Sequence, residues 1–113
     1  MDQAHARELL TLERMRVARL LSETVAAGHE DRKAANEPGD LTDPAERLTA
    51  EEGDDAVAAG LRERLEALER AERRLDGGTF GYSIRSGLPI PDDRLEADPA
   101  AELTVEESQS LDL

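Results

Sequence analysis

The feature that most constrains this chain is one helix-breaking segment between two long helix-forming stretches. Asn36-Glu37-Pro38-Gly39-Asp40 cannot carry a helix through, because proline lacks the amide donor and clashes with the preceding turn. Before the break, residues 2–27 contain Leu9, Leu10, Val17, Leu20, Leu21 and Val25. At about 100° per residue these six fall on one broad face. Glu13, Arg14, Arg16 and Arg19 fill much of the remainder. An amphipathic helix is predicted there, with 29–35 able to extend it. After the break Asp43 suits an N-cap, Pro44 the first helical position, and Glu46 the acidic position of a capping box. A second helix is predicted from there to about Leu75, softened near its start by Gly53 and Gly60, each costing about 1 kcal/mol relative to alanine.

The second stretch carries a narrow stripe. Val57, Leu61, Leu65, Leu68 and Leu75 lie on one side, and Leu61, Leu68 and Leu75 recur by sevens. That spacing is a coiled-coil seam. With a short turn between them, the two helices are expected to pack antiparallel, and an arm of thirty residues would be roughly 45 Å long. A small bundle or a dimerising coiled coil would use the same stripe.

Large rings are scarce: Phe80 and Tyr82 are the aromatic residues of the chain. A deep globular core is therefore hard to fill, and the 36% of charged residues suits long, surface-rich helices. There is no cysteine, which excludes disulfides and thiolate metal sites. No apolar run reaches the 18 or so residues of a membrane span, and the N-terminus carries no apolar signal segment. A cytoplasmic protein with no membrane partner is expected.

The net charge of −13 is unevenly spread. Residues 1–34 hold six acids and six bases, and 61–76 hold five of each. Residues 35–60 hold eight acids against Arg47, and 77–113 hold eight against Arg85 and Arg94. Two neutral stretches thus flank an acidic segment, and a second acidic segment follows. A basic partner surface or channel is implied, and direct binding to a phosphate backbone is disfavoured. A purely solubilising surface would have the same composition.

Asp76-Gly77-Gly78-Thr79 ends the second helix, since glycine is the usual residue just past a helix terminus. Residues 77–103 are turn-rich, with Pro89, Pro91 and Pro99. Thr104-Val105-Glu106-Glu107 has the form of a capping box opening a brief terminal helix. The organisation predicted is mainly α: an antiparallel hairpin over 1–76 with an acidic tip near 36–46, then a small base and short C-terminal helix over 77–113.

Gly78-Thr79-Phe80-Gly81-Tyr82, then Gly87-Leu88-Pro89-Ile90-Pro91, then Arg94-Leu95-Glu96-Ala97 and Pro99 together resemble the zinc-knuckle region of the DksA/TraR family. Order, spacing and residue type agree over about 30 positions, and the helix before them has the family's character. The resemblance implies a long helical hairpin that enters the secondary channel of bacterial RNA polymerase. At the four positions where the family places zinc-binding cysteines, this chain has Ser83, Ser86, Thr104 and Glu107. Neutral hydroxyls do not replace thiolates, and a single carboxylate cannot hold a tetrahedral zinc ion. No zinc is expected, with burial of Phe80, Ile90, Leu95 and Leu103, hydrogen bonds from Ser83 and Ser86, and the Thr104/Glu107 cap as the means of holding a degenerate knuckle.

The same resemblance implies a role for the turn. Asp40-Leu41-Thr42-Asp43-Pro44-Ala45 fits the D-x-x-D-x-A pattern of family members that act on transcription, assigning polymerase contacts to Asp40 and Asp43 and a compact turn to Ala45. Asp43-Pro44 also has a sufficient explanation as a helix start, and two competing acidic sets, Asp43/Glu46 and Glu51/Asp54/Ala56, repeat the pattern loosely. Where the family binds the alarmone ppGpp through basic residues, the matching places hold Ala67, Asp98 and Ser108, with Arg94 nearby, so that ligand is not expected.

The function implied is transcription regulation through RNA polymerase, by a monomer, with no direct nucleic-acid contact. Catalysis is not expected: there is no glycine-rich phosphate loop and no supported nucleophile–base set. The rival reading is a coiled-coil interaction module, self-associating through Leu61, Leu68 and Leu75 or binding another partner, that has lost the transcription role.

Overall fold

The computed structural model describes residues 1–35 and 44–110, and their side chains over 1–28 and 55–110. It is mainly helical: α1 (Gln3–Ala35), α2 (Pro44–Asp76), α3 (Asp92–Ala97) and α4 (Val105–Ser110). The second helix begins at Pro44, as expected of a residue whose missing amide costs nothing in a first turn. The first continues beyond Gly28 to Ala35, the extension that the sequence allows.

The chain forms two compact units, one of Met1–Met15 with Glu66–Leu113 and one of Arg16–Leu65. In the first unit, the start of α1 runs antiparallel to the end of α2. Arg7 Nη2 meets Asp76 Oδ1 at 2.6 Å, and Arg14 Nε lies 3.3 Å from Glu72 Oε1. The second contact is an ion pair without hydrogen-bond alignment, since Glu72 Oε1 is shielded from solvent and accepts none. Ala6 and Leu10 of α1 and Leu68, Ala71 and Leu75 of α2 are buried in this unit. In the second unit Val17 and Ala58 are buried, and Leu20, Leu21, Leu61 and Leu65 half-buried.

The apolar faces differ from the expected ones at one place on each helix. Val57 is 53% exposed while Ala58 beside it is buried, and Val25 is 49% exposed. The inward register runs through alanines, Ala58 and Ala71, and a reading weighted by large aliphatics shifts toward the bulkier neighbour. Small inward residues bring helix backbones close together.

The end of α2 is a Schellman motif: the Gly78 amide bonds the Leu75 carbonyl at 3.2 Å and the Thr79 amide bonds the Arg74 carbonyl at 2.8 Å. It requires a left-handed residue, and Gly78 takes φ +81°. Arg74 itself is half-buried. Desolvation lowers the pKa of its guanidinium against the opposing field of Glu102, and its Nη2 is shielded without a hydrogen-bond partner.

Beyond the motif, the base is held by a small apolar cluster of Ile90, Leu95 and Ala101, with Phe80 packed against it. Leu103, expected in the same core, is half-buried. Gly81, at φ +91°, accepts the Ile90 amide at 2.8 Å, and Tyr82 forms an antiparallel bridge with Pro89. No helix among the described residues is long and apolar enough to cross a membrane.

Candidate functional site

The bridge between Tyr82 and Pro89 turns the chain back on itself and presents Ser83 and Ser86 from one loop. The Ser83 amide bonds the Leu88 carbonyl at 2.8 Å, and the Gly87 amide bonds the Ser83 carbonyl at 3.0 Å. Gly87 closes this loop at φ +76°, a conformation side chains resist. The Ile84 amide reaches the Glu102 carbonyl at 2.9 Å and joins the loop to the segment leading into α4. Glu102 is held from the other side, where Arg70 of α2 donates to its Oε1 through Nε and Nη2 at 3.3 and 2.9 Å.

Thr104 and Glu107 arrive from the start of α4 as a reciprocal capping box. The Glu107 amide donates to Thr104 Oγ1 and the Thr104 amide to Glu107 Oε1, both at 3.2 Å. The carboxylate that caps the helix also faces the serine loop. Ser83 Oγ donates to Glu107 Oε2 at 2.9 Å and Ser86 Oγ to Oε1 at 3.3 Å. Ser83 Oγ in turn accepts the amides of Arg85 and Ser86 at 3.1 and 3.2 Å, and Ser86 Oγ accepts that of Leu88 at 3.2 Å. Ser83 and Thr104 are buried, 5% and 7% exposed. Three of the four positions that the resemblance marks, Ser83, Ser86 and Thr104, therefore converge on the carboxylate of the fourth, Glu107.

Partial burial acts to raise the pKa of Glu107. Hydrogen bonds from Ser83, from the backbone and side chain of Thr104, and from Ser86 outweigh it and hold the carboxyl below its ordinary range. The donor set does not fit a zinc ion. It offers three neutral hydroxyls and one carboxylate, and both oxygens of that carboxylate already accept hydrogen bonds. Among the described residues no group of three or more His, Cys, Asp and Glu side chains could hold a metal.

Two ties between distant segments had no sequence signal. Arg70–Glu102 joins α2 to the base, and His5 of α1 bonds Glu96 of α3. Only the fold brings these partners together. Ala67, Asp98 and Ser108 are half-buried, and Arg94 directs its Nε to the Leu103 carbonyl at 2.9 Å. Of the tip residues implied by the resemblance, Asp40 and Asp43 lie outside the described residues. Ala45 lies within α2, outside the described side chains.

The fold and this site define a mainly helical protein whose base is closed by hydrogen-bonding side chains at the four positions where the resemblance places cysteines. Its architecture is DksA-like. The structure is similar to that of transcription factor DksA2 from Pseudomonas aeruginosa, with a TM-score of 0.83 over 97% of this chain and 82% of that one, at 23% identity. In sequence it is 34% identical over 85 residues to general stress protein 16O of Bacillus subtilis, covering 68% of this chain and 52% of that protein. The chain thus spans about half the length of that curated relative. No family model matches the chain.

Proposed function

We propose that this protein regulates transcription by binding bacterial RNA polymerase through its secondary channel, with the acidic 36–46 segment directed toward the catalytic centre. The observation that supports this most is the likeness of fold to a transcription factor over 97% of the chain. Charge adds to it. Eight acids against one base over 35–60 suit a basic channel, in which low-dielectric walls focus the field. Asp40 and Asp43 would engage basic groups there, and Ala45 would keep the turn compact. Such a regulator needs no catalytic residue and no bound nucleotide. It acts by binding one polymerase conformation better than another and so shifting the population of promoter complexes.

The test is binding to purified polymerase together with promoter-complex lifetime, for the natural chain and for Asp43→Asn. The expected result is binding that a secondary-channel blocker competes away, with a regulatory effect reduced in the variant. An unchanged effect on lifetime would remove the turn from the mechanism. The rival module, self-associating or serving another partner, is favoured if core polymerase is absent from the proteins captured by the full chain.

A further inference from the structure

The misfit between the knuckle and a metal has a physical complement. A zinc ion in such a knuckle ties two chain segments by drawing four ligands onto one centre. Here the two segments, 83–86 and 104–107, are tied by a carboxylate that draws donors onto it. We propose that Glu107 is the keystone of a metal-free clasp, an anion in place of a cation, and that the base folds around it without zinc. The proposal is independent of which partner the chain engages.

Three observations carry it. Both oxygens of Glu107 are used across the junction, Oε2 by the Ser83 hydroxyl and Oε1 by the Ser86 hydroxyl, and Oε1 also takes the Thr104 amide of its own segment. The hydroxyls that reach Glu107 are themselves oriented. Ser83 Oγ accepts two loop amides, of Arg85 and Ser86, so its one hydrogen is left for the carboxylate. Third, Ser83 and Thr104 are buried. An unmade bond at either therefore strands a desolvated polar group.

The geometry makes Glu107→Gln a sharp probe, because the amide keeps the size and loses one acceptor. With its NH2 toward Ser83 it meets a hydroxyl oxygen already occupied by two amides. With the NH2 toward Ser86 it faces the Thr104 N–H, donor against donor. Neither orientation satisfies the clasp.

The experiment is amide hydrogen exchange on the full-length protein, with bound metal measured on the same preparation. For Glu107→Gln, protection at Arg85, Ser86, Leu88 and Thr104 is expected to fall at least tenfold. Protection of amides in the middle of α1 should stay within twofold of the natural chain. Ser86→Ala removes one of the three donors and keeps the keystone. It should lower protection by about threefold at the Thr104 amide, which shares Glu107 Oε1 with the lost hydroxyl and has no bond to Ser86 itself, and it keeps the proposal testable if Glu107→Gln does not fold. The natural chain should contain no stoichiometric zinc, and adding zinc or a chelator should leave its exchange pattern unchanged. Natural-level protection in both variants would overturn the proposal, as would one equivalent of zinc that raises protection at the knuckle.

Discussion

His5 and Glu96 stand 91 residues apart and share a hydrogen bond between imidazole Nε2 and carboxylate Oε1, tying the first turn of α1 to α3. The bond to Glu96 is the largest influence on the ring. Slight desolvation opposes it, while the charges of Glu96, Asp2 and Glu8 add to it, and the His5 pKa is raised above 6.5. A group whose pKa is higher folded than unfolded stabilises fully below its unfolded value and loses that contribution as pH rises through the folded one.

The first prediction follows from that sign. Thermal stability should carry a small contribution that is present near pH 6 and falls away as the pH rises past the raised His5 value. His5→Ala should flatten this part of the profile and lower stability at pH 6 more than at pH 9. Both groups are exposed, so the effect is small. Parallel pH profiles for the two proteins would contradict it.

Glu107 works in the opposite direction. Burial would raise its pKa, but bonds from Ser83, Thr104 and Ser86 prevail and lower it. A depressed carboxyl stabilises above its unfolded value, near 4.5, and loses that contribution as pH falls through the folded one. Acidification from pH 7 to 3 should therefore loosen the knuckle. Exchange at the Ser86 and Leu88 amides, corrected for its intrinsic pH dependence, should report this in the natural chain. Glu107→Gln should show no such acid step. A step retained in the variant would assign it to another carboxyl.

The contrast between these two groups shows how far the sequence could be read. Pro44 as the start of α2, Gly78 as its stop and the Thr104/Glu107 box are local patterns, and each was legible because its physics spans only a few residues. The convergence of Ser83 and Ser86 with Thr104 and Glu107 was implied by resemblance. The use of one carboxylate as both helix cap and junction could not be read, because Ser83 and Glu107 stand 24 positions apart and only the fold joins them. His5–Glu96 and Arg70–Glu102 were invisible for the same reason. The seam was legible through Leu68 and Leu75 and misplaced at Val57, where a buried alanine sets the register.

That register gives a stability prediction. Leu68 is 0% exposed and Ala71 one turn later is also 0% exposed. Leu68→Ala should cost about 2–5 kcal/mol by lost transfer energy and a residual cavity. Ala71→Leu should cost about 1–3 kcal/mol by overpacking. Val57→Ala, at 53% exposure, should stay within about 0.5 kcal/mol. Urea denaturation of the three variants checks the order. A Val57 cost matching that of Leu68 would show that Val57 belongs to the seam with Leu68 and that Ala58 does not set its register there.

Two glycines of α2 and its terminus should respond to alanine with opposite signs. Gly60 lies inside the helix, and a Cβ there would meet nothing within 4 Å. Gly60→Ala removes backbone freedom from the unfolded chain without a clash, and should stabilise by about 0.5–1 kcal/mol. Gly78 also has open space where a methyl group would stand, but its φ of +81° is the left-handed conformation that the Schellman motif requires. Gly78→Ala should therefore destabilise by about 1–2 kcal/mol through backbone sterics alone. Asparagine at that position, which tolerates the conformation better, should recover part of the loss. Equal and same-signed effects at the two positions, measured by denaturant midpoint at constant m-value, would mean that the end of α2 does not hold the turn on which the whole base is built.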